Sequence, residues 1–368
     1  MENLLKIYLN RRSDILICML LTCLFAVSAC GGTDTRTLSS KKATQSVPLP
    51  PINSSLTEQG QQQIQTLQLW IGLMQQYKGD TSKYQQELLN TQQQFTLDKT
   101  TSEYARTLQT LNQQIEAIKV PALHSEATDL DQQLLAQAHA WGASHTFHDA
   151  YNGTTYQLGY EYGTNGVAGW TQDDLSSAQT VADYQQAVSE ASMFLNSFQA
   201  YKTNASDKTP WDQPHQTDFQ MMKHYGDTQG KVVVVSLSEQ AMRVYDNGKL
   251  VKAFQVTTGR PEKPSPPGAW QVEEKQAPTV FKSDEPQDSP YWYPDTPITY
   301  AMLYHSGGYY IHDSWWRDDY GPNTQFPHLD SGGDSFSFDG SHGCINVSTA
   351  NAGWIYDFVG LNTSVVIY

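Results

Sequence analysis

The sequence predicts an α+β protein of several parts, a helical N-terminal module followed by a β-rich C-terminal domain. Three observations carry that reading. Between Ser54 and Tyr201 apolar residues recur three and four positions apart, as in Ile64, Leu67, Ile71 and Met74. That is the period of helices burying one face. From Lys231 onward the pattern changes to short alternating runs broken by turn residues such as Asp246-Asn247-Gly248, as hairpins require. The third observation is a lone cysteine, Cys344, in a glycine-bearing loop of that second part.

Residues 1–30 carry Lys6, Arg11 and Arg12 ahead of an apolar run from Ile15 to Ala29. This reads as a signal peptide, too short and wrongly flanked for a membrane span. It ends Val27-Ser28-Ala29-Cys30, which resembles a bacterial lipobox. The resemblance implies cleavage before Cys30 and lipidation of that residue. The expected location is therefore extracytoplasmic, on a lipid anchor whose acyl chains each add about 0.8 kcal/mol per buried CH₂. The alternative is an ordinary secretory signal with a coincidental cysteine. Residues 31–52, rich in Ser, Thr, Lys and Pro, read as a flexible tether.

The helical module is expected over 53–205. Ser55-Leu56-Thr57-Glu58 has capping-box spacing at its first helix. A second helix is expected near Thr81 with Tyr84, Leu88 and Phe95. A third runs from about Ser102 through Leu108, Leu111, Ile115 and Ile118, stopped by Pro121. Another spans about Ser125 to Trp141, and a last one Val181 to Tyr201. Three starts share a Thr followed by Tyr (Thr81/Tyr84, Thr100/Tyr104, Thr180/Tyr184), a weak internal repeat. Asn152-Gly153 marks a turn in a Gly- and Tyr-rich stretch up to Trp170, a surface loop or short hairpin. Residues 206–230 form a polar connector with a short helix around Phe219–His224. Residues 231–368 follow, enough for a core of their own.

A formal charge of −15 argues against nucleic acid or an anionic membrane surface as the main partner. There is no phosphate-binding loop. His145 and His148 have a metal-like spacing but lack further ligands, so no metal and no cofactor are expected. The chain is expected to be a monomer.

The chemistry concentrates in Ser341-His342-Gly343-Cys344-Ile345-Asn346-Val347-Ser348. Gly343 permits a tight turn, so that the sulfur and neighbouring N–H groups face one cavity. Ser348 suits the N-cap of a helix carrying Ala352, Ile355, Tyr356 and Phe358. Cys344 thus sits on a loop just ahead of a helix, where a thiolate is favoured. The other three cysteines, Cys18, Cys23 and Cys30, belong to the leader. An unpaired thiol in an oxidising compartment points to use of its reactivity, against the alternative of an inert buried cysteine.

Beyond that motif, Val232–Gln240 with Met242–Tyr245, Phe254–Arg260 with Pro264–Gly268, and Gly307–His312 follow in order. Together these blocks resemble the L,D-transpeptidase catalytic domain of the YkuD type, enzymes that re-crosslink bacterial peptidoglycan through a cysteine acyl-enzyme. The resemblance implies Cys344 as nucleophile and His312 as general base, with backbone N–H groups of Gly343 and Cys344 as oxyanion donors. Ser341 and His342 then position the loop. Tyr310, Asn346 and Trp315 are candidate substrate contacts, and Tyr291 a further cleft residue. The implied partners are peptidoglycan stem peptides.

One departure stands out. Between His312 and Ser341 lie 28 residues, more than the family usually has. His328, with 12 residues before Ser341, is the alternative base. The extra residues, from Trp315 through Phe336, read either as a lid over the cleft or as a solvated loop. Other outcomes for the same chemistry are an L,D-carboxypeptidase, in which water resolves the acyl-enzyme, and a catalytically silent wall-binding lipoprotein.

Overall fold

The computed structural model describes residues 50–332 and 338–368. The expected leader over 1–30, its Cys30, and nearly all of the tether lie outside the described residues. Among the described residues no helix is long and apolar enough to cross a membrane.

The first three helices are α1 (Ser54–Gln76), α2 (Ser82–Leu97) and α3 (Thr101–Ser144). The expected capping box at Ser55 is replaced by Asn53, whose Oδ1 accepts from Ser55 N at 2.9 Å. The Thr–Tyr recurrence has a local cause at two of its three sites. Thr100 and Thr180 form capping boxes with Glu103 and Asp183, each satisfying two otherwise orphaned donors. Thr81 makes no such bond.

Pro121 does not stop a helix, contrary to the sequence reading, but lies inside α3. A mid-helix proline costs about 3 kcal/mol. The apolar face on either side of it (Leu111, Ile115, Ile118, Leu123, Ala127, Leu130) is buried without a break, and at roughly 1.5–3 kcal/mol per large apolar side chain that burial outweighs the cost. The Gly- and Tyr-rich stretch is a hairpin, β1 (Thr146–His148) with β2 (Thr155–Gln157), turning at Gly153 with φ +73°. A 3₁₀ turn over Tyr160–Tyr162 and two helices follow, α4 (Val167–Ser177) and α5 (Val181–Ala205). The connector carries α6 (Gln216–Tyr225), close to the expected position.

The β-rich part holds two main sheets. The first has order β5-β4-β3-β13-β6, from Lys249–Gln255, Ala241–Asp246, Lys231–Ser236, Ser364–Ile367 and Gly268–Gln271. The second has order β12-β11-β10-β7, from Ile345–Val347, Tyr309–Asp313, Ala301–His305 and Glu274–Gln276. A separate ribbon pairs β8 (Thr279–Phe281) with β9 (Thr296–Ile298). The β4–β5 hairpin turns at Asn247 and Gly248, both at positive φ, as Asn-Gly turns require. Helix α7 (Thr349–Phe358) is capped by Ser348, as expected.

The run Val232–Val235 is buried throughout because its sheet is covered on both faces. Val233 and Val235 face a core shared with Met302, Ile311 and Ile345 of the second sheet and with Phe194, Phe198 and Tyr162 of the helical region. Val232 and Val234 pack against Met221 and Met222 of α6. The same α6 carries Asp218, which takes a bidentate ion pair from the fully buried Arg243 at 2.6 and 3.1 Å. Leu49–Tyr368 is thus one compact unit.

Candidate active site

Strand register assembles the site. Strands β11 and β12 run parallel, with Ile311 opposite Ile345 and His312 opposite Asn346. Alternate residues of a strand share a face, so Tyr310 and His312 lie on the side that carries Cys344 and Asn346. The contacts agree. Asn346 Nδ2 lies 3.0 Å from His312 Nε2, and the Tyr310 backbone N–H is directed at the Cys344 sulfur.

The loop before β12 is held by the segment after β5. Thr257 and Asn346 exchange both backbone bonds, at 3.0 and 2.8 Å, while Ser341 N–H donates to Thr258 O and Arg260 N–H to Ser341 O. Ser265 Oγ donates to Gly343 O at 2.7 Å. Ser341 Oγ accepts from Gly343 N at 3.0 Å and donates to the Cys344 carbonyl. Gly343 has φ +105°, and a Cβ there would lie 2.5 Å from Tyr309 Cε1. Only glycine fits this position without strain.

His312 is 4% exposed. Its Nδ1 lies 2.8 Å from Asp313 O, and a carbonyl only accepts, so Nδ1 carries the proton. Nε2 is then the acceptor, and Asn346 must present its amide N–H. That leaves Asn346 Oδ1 buried without a partner among the described residues. Phe281 and Trp316 enclose the ring, at 5.0 and 6.1 Å between centroids. Burial pushes the imidazole down to about 4, so it is neutral at neutral pH.

The sequence reading placed Cys344 where a thiolate is favoured. The environment does the opposite. Strand β12 separates the sulfur from α7, and burial pushes the thiol up to about 11, against the smaller opposing pull of the Tyr310 N–H. The thiol's hydrogen bond goes to Gly308 O at 3.8 Å rather than to the imidazole. The resting pair is therefore a neutral thiol and a neutral imidazole.

The sulfur opens into a cavity of about 550 Å³. His342 and Tyr310 line it, and so does Tyr291. His342 stacks on Tyr293 at 5.5 Å, and burial, with Arg260 and Lys263 nearby, pushes it down to about 4. Asn346 and Ser341 lie behind the cavity and hold the loop. Trp315 lies outside the lining, with its indole N–H on Pro297 O at 3.0 Å. His328 is also outside, its Nδ1 2.7 Å from Phe326 O.

None of the described residues between 313 and 340 lines the cavity. Within it, Phe326 stacks with Phe147 and Tyr156 of the helical region, while Trp316 packs against the His312 ring. The cleft is covered by the β8–β9 ribbon and its connection, through Phe281, Tyr291 and Tyr293. Sequence reasoning missed Phe281, Tyr293, and the ion pair of Lys263 with Glu285 at 3.0 Å in the same cavity. The aromatic density of Tyr291-Trp292-Tyr293 was the available signal.

Comparison with known proteins agrees with the geometry. Residues 230–367 match the YkuD family model, the L,D-transpeptidase catalytic domain. L,D-transpeptidase 1 of Mycobacterium tuberculosis is 28% identical over 138 residues, covering 36% of this chain and 49% of the relative. Probable L,D-transpeptidase 3 of the same organism is 31% identical over 112 residues, covering 30% and 36%. The chain thus spans about half or less of the length of these relatives. Among solved structures, the catalytic domain of Enterococcus faecium L,D-transpeptidase is 28% identical, covering 38% of this chain and 98% of that one at a TM-score of 0.31. Residues 230–367 therefore carry a YkuD-type L,D-transpeptidase catalytic domain.

Proposed function

We propose that this chain is a peptidoglycan L,D-transpeptidase in which Cys344 is the nucleophile and His312 the general base. The observation that carries the reading is the parallel register of β11 and β12. That register sets the tautomer-fixed, neutral His312 opposite Asn346, two residues along the chain from Cys344, which lines a peptide-sized cavity.

The Cys344 thiol gives its proton to His312 Nε2 as the sulfur attacks the carbonyl of the third residue of a tetrapeptide stem. Asn346 yields its place on Nε2 as substrate seats, since such bonds tighten only in the complex. The oxyanion is received by the Cys344 N–H, because the Gly343 N–H is engaged by Ser341 Oγ. The carbon–nitrogen bond breaks and the imidazolium returns its proton to the departing D-Ala amine. An amine of a second stem then attacks the thioester, loses a proton to His312 and releases the thiolate, which is reprotonated. Tyr310, His342 and Tyr293 shape the donor groove. The reading also includes export and a lipid anchor at Cys30, supported by the Val27-Ser28-Ala29-Cys30 pattern.

The test is incubation with a stem tetrapeptide and an amine acceptor, with intact mass read for the wild type and Cys344→Ser. The expected result is a thioester adduct and cross-linked product in the wild type only. Tripeptide without cross-link would make the protein an L,D-carboxypeptidase. No adduct, or an equal one on the serine variant, would overturn the assignment.

A further inference from the structure

Two contacts from the helical region converge on the loop that carries Cys344. The first begins at Tyr160, in the 3₁₀ turn between β2 and α4. Its hydroxyl donates to Gly259 O at 2.7 Å. That carbonyl belongs to the Gly259–Arg260 peptide, whose other end, Arg260 N–H, donates to Ser341 O at 3.0 Å. One peptide plane therefore joins Tyr160 to the first residue of the cysteine motif. The Gly259 N–H in turn donates to Ser265 Oγ at 3.0 Å, and Ser265 donates to Gly343 O at 2.7 Å. Hydrogen bonds in such a chain polarise and fix one another. Gly259 has no room for a side chain, since a Cβ there would lie 2.2 Å from Lys263 O.

The second contact begins at Trp170 of α4. Its ring packs 5.6 Å from that of Tyr309. Tyr309 is the ring that fills the space where a Gly343 side chain would sit, with Cε1 2.5 Å from the Cβ position. Trp170 thus backs the wall against which Gly343 adopts its φ of +105°.

We propose that Tyr160 and Trp170 are positioning residues for Cys344, which makes the helical region part of the catalytic unit as well as a spacer. Tyr160 fixes the peptide that holds Ser341, and Trp170 fixes the ring that sets Gly343. The proposal rests on Cys344 being the nucleophile.

The test uses the full-length protein and iodoacetamide, with alkylation mapped to the Cys344 peptide by mass spectrometry across a pH series. This readout needs no transpeptidase activity. Tyr160→Phe keeps the ring and its packing on Phe326 but removes the donor. We expect its alkylation rate to change roughly two- to tenfold, the range set by one lost hydrogen bond, with a displaced pH profile and an unchanged far-UV spectrum. Trp170→Ala should act in the same direction, with Trp170→Phe restoring most of the rate. Tyr156→Phe is the control, since Tyr156 stacks on Phe326 and its hydroxyl accepts from Asn152 Nδ2, away from the cysteine loop. Rates and pH profiles equal to wild type in both Tyr160→Phe and Trp170→Ala would overturn the inference, as would a loss that merely tracks the unfolded fraction. A wild type that alkylates at Cys344 but forms no adduct with the tetrapeptide would instead overturn the transpeptidase reading.

Discussion

Acidification should destabilise the protein through His312, by an amount that can be worked out. Its ordinary value of 6.5 falls to about 4 in the fold, with burial the main cause. The folded state therefore binds the proton less readily than the unfolded chain. The stabilisation of the neutral ring is fully present above about 6.5 and is lost as pH falls toward about 4. At 1.36 kcal/mol per unit, the whole shift corresponds to about 3 kcal/mol. Between about pH 7 and about pH 5 the linkage relation gives a loss of about 2 kcal/mol. The assay is urea denaturation at those two pH values for the wild type and for His312→Gln. His342 and the carboxylates contribute to both proteins and cancel in the difference. The wild type should lose about 2 kcal/mol more than the variant over that interval. An equal loss in the two proteins would refute the claim that His312 is held neutral. The acid limb of acylation should likewise fall near pH 4 rather than near 6.5, because the base stays unprotonated down to about that value.

Gly343→Ala should lose roughly 2–5 kcal/mol of stability, combining backbone strain at φ +105° with the overlap on Tyr309. Denaturant unfolding measures this, and a change within about 0.5 kcal/mol, the usual range for an uninvolved surface site, would remove the steric account. Cys30→Ala should leave the precursor unprocessed or release the protein from the membrane fraction. A variant that still fractionates with membrane and keeps a lipid mass shift would end the lipobox reading.

Much of the architecture was legible because local patterns are strong where one face must be buried. The 3.6-residue period over Ile64–Met74 and the Asn-Gly turns at 152–153 and 247–248 each specify their element without help from elsewhere. Ser348 likewise announced the helix it caps. Pro121 misled because a local breaker was outweighed by burial on both sides of it, a sum that no short window contains. The helix α4 was missed for a related reason. Its buried residues, Val167, Ala168 and Thr171, form too short and weak a stripe to stand out before helices α3 and α5 pack against it.

The site divides in the same way. The sequence by itself marked the candidates: Cys344 as a lone thiol after a glycine, a feature of composition and order, and His312 through the resemblance of its strand block to the transpeptidase family. The tertiary structure decided how they are set. The parallel pairing of β11 with β12 brings His312 and Asn346 together across 34 positions of chain. Burial, and not the helix that follows, governs the thiol and raises it. The residues after His312, which read as either a lid or a solvated loop, send Phe326 against Phe147 and Tyr156, and the described ones leave the cleft lining to residues such as Phe281, Tyr291 and Tyr293. Hydrophobic pattern and turn chemistry act over a few residues and are written in the sequence. Register between distant strands and the desolvation of a charge depend on what the rest of the chain places alongside, and only the folded protein contains that information.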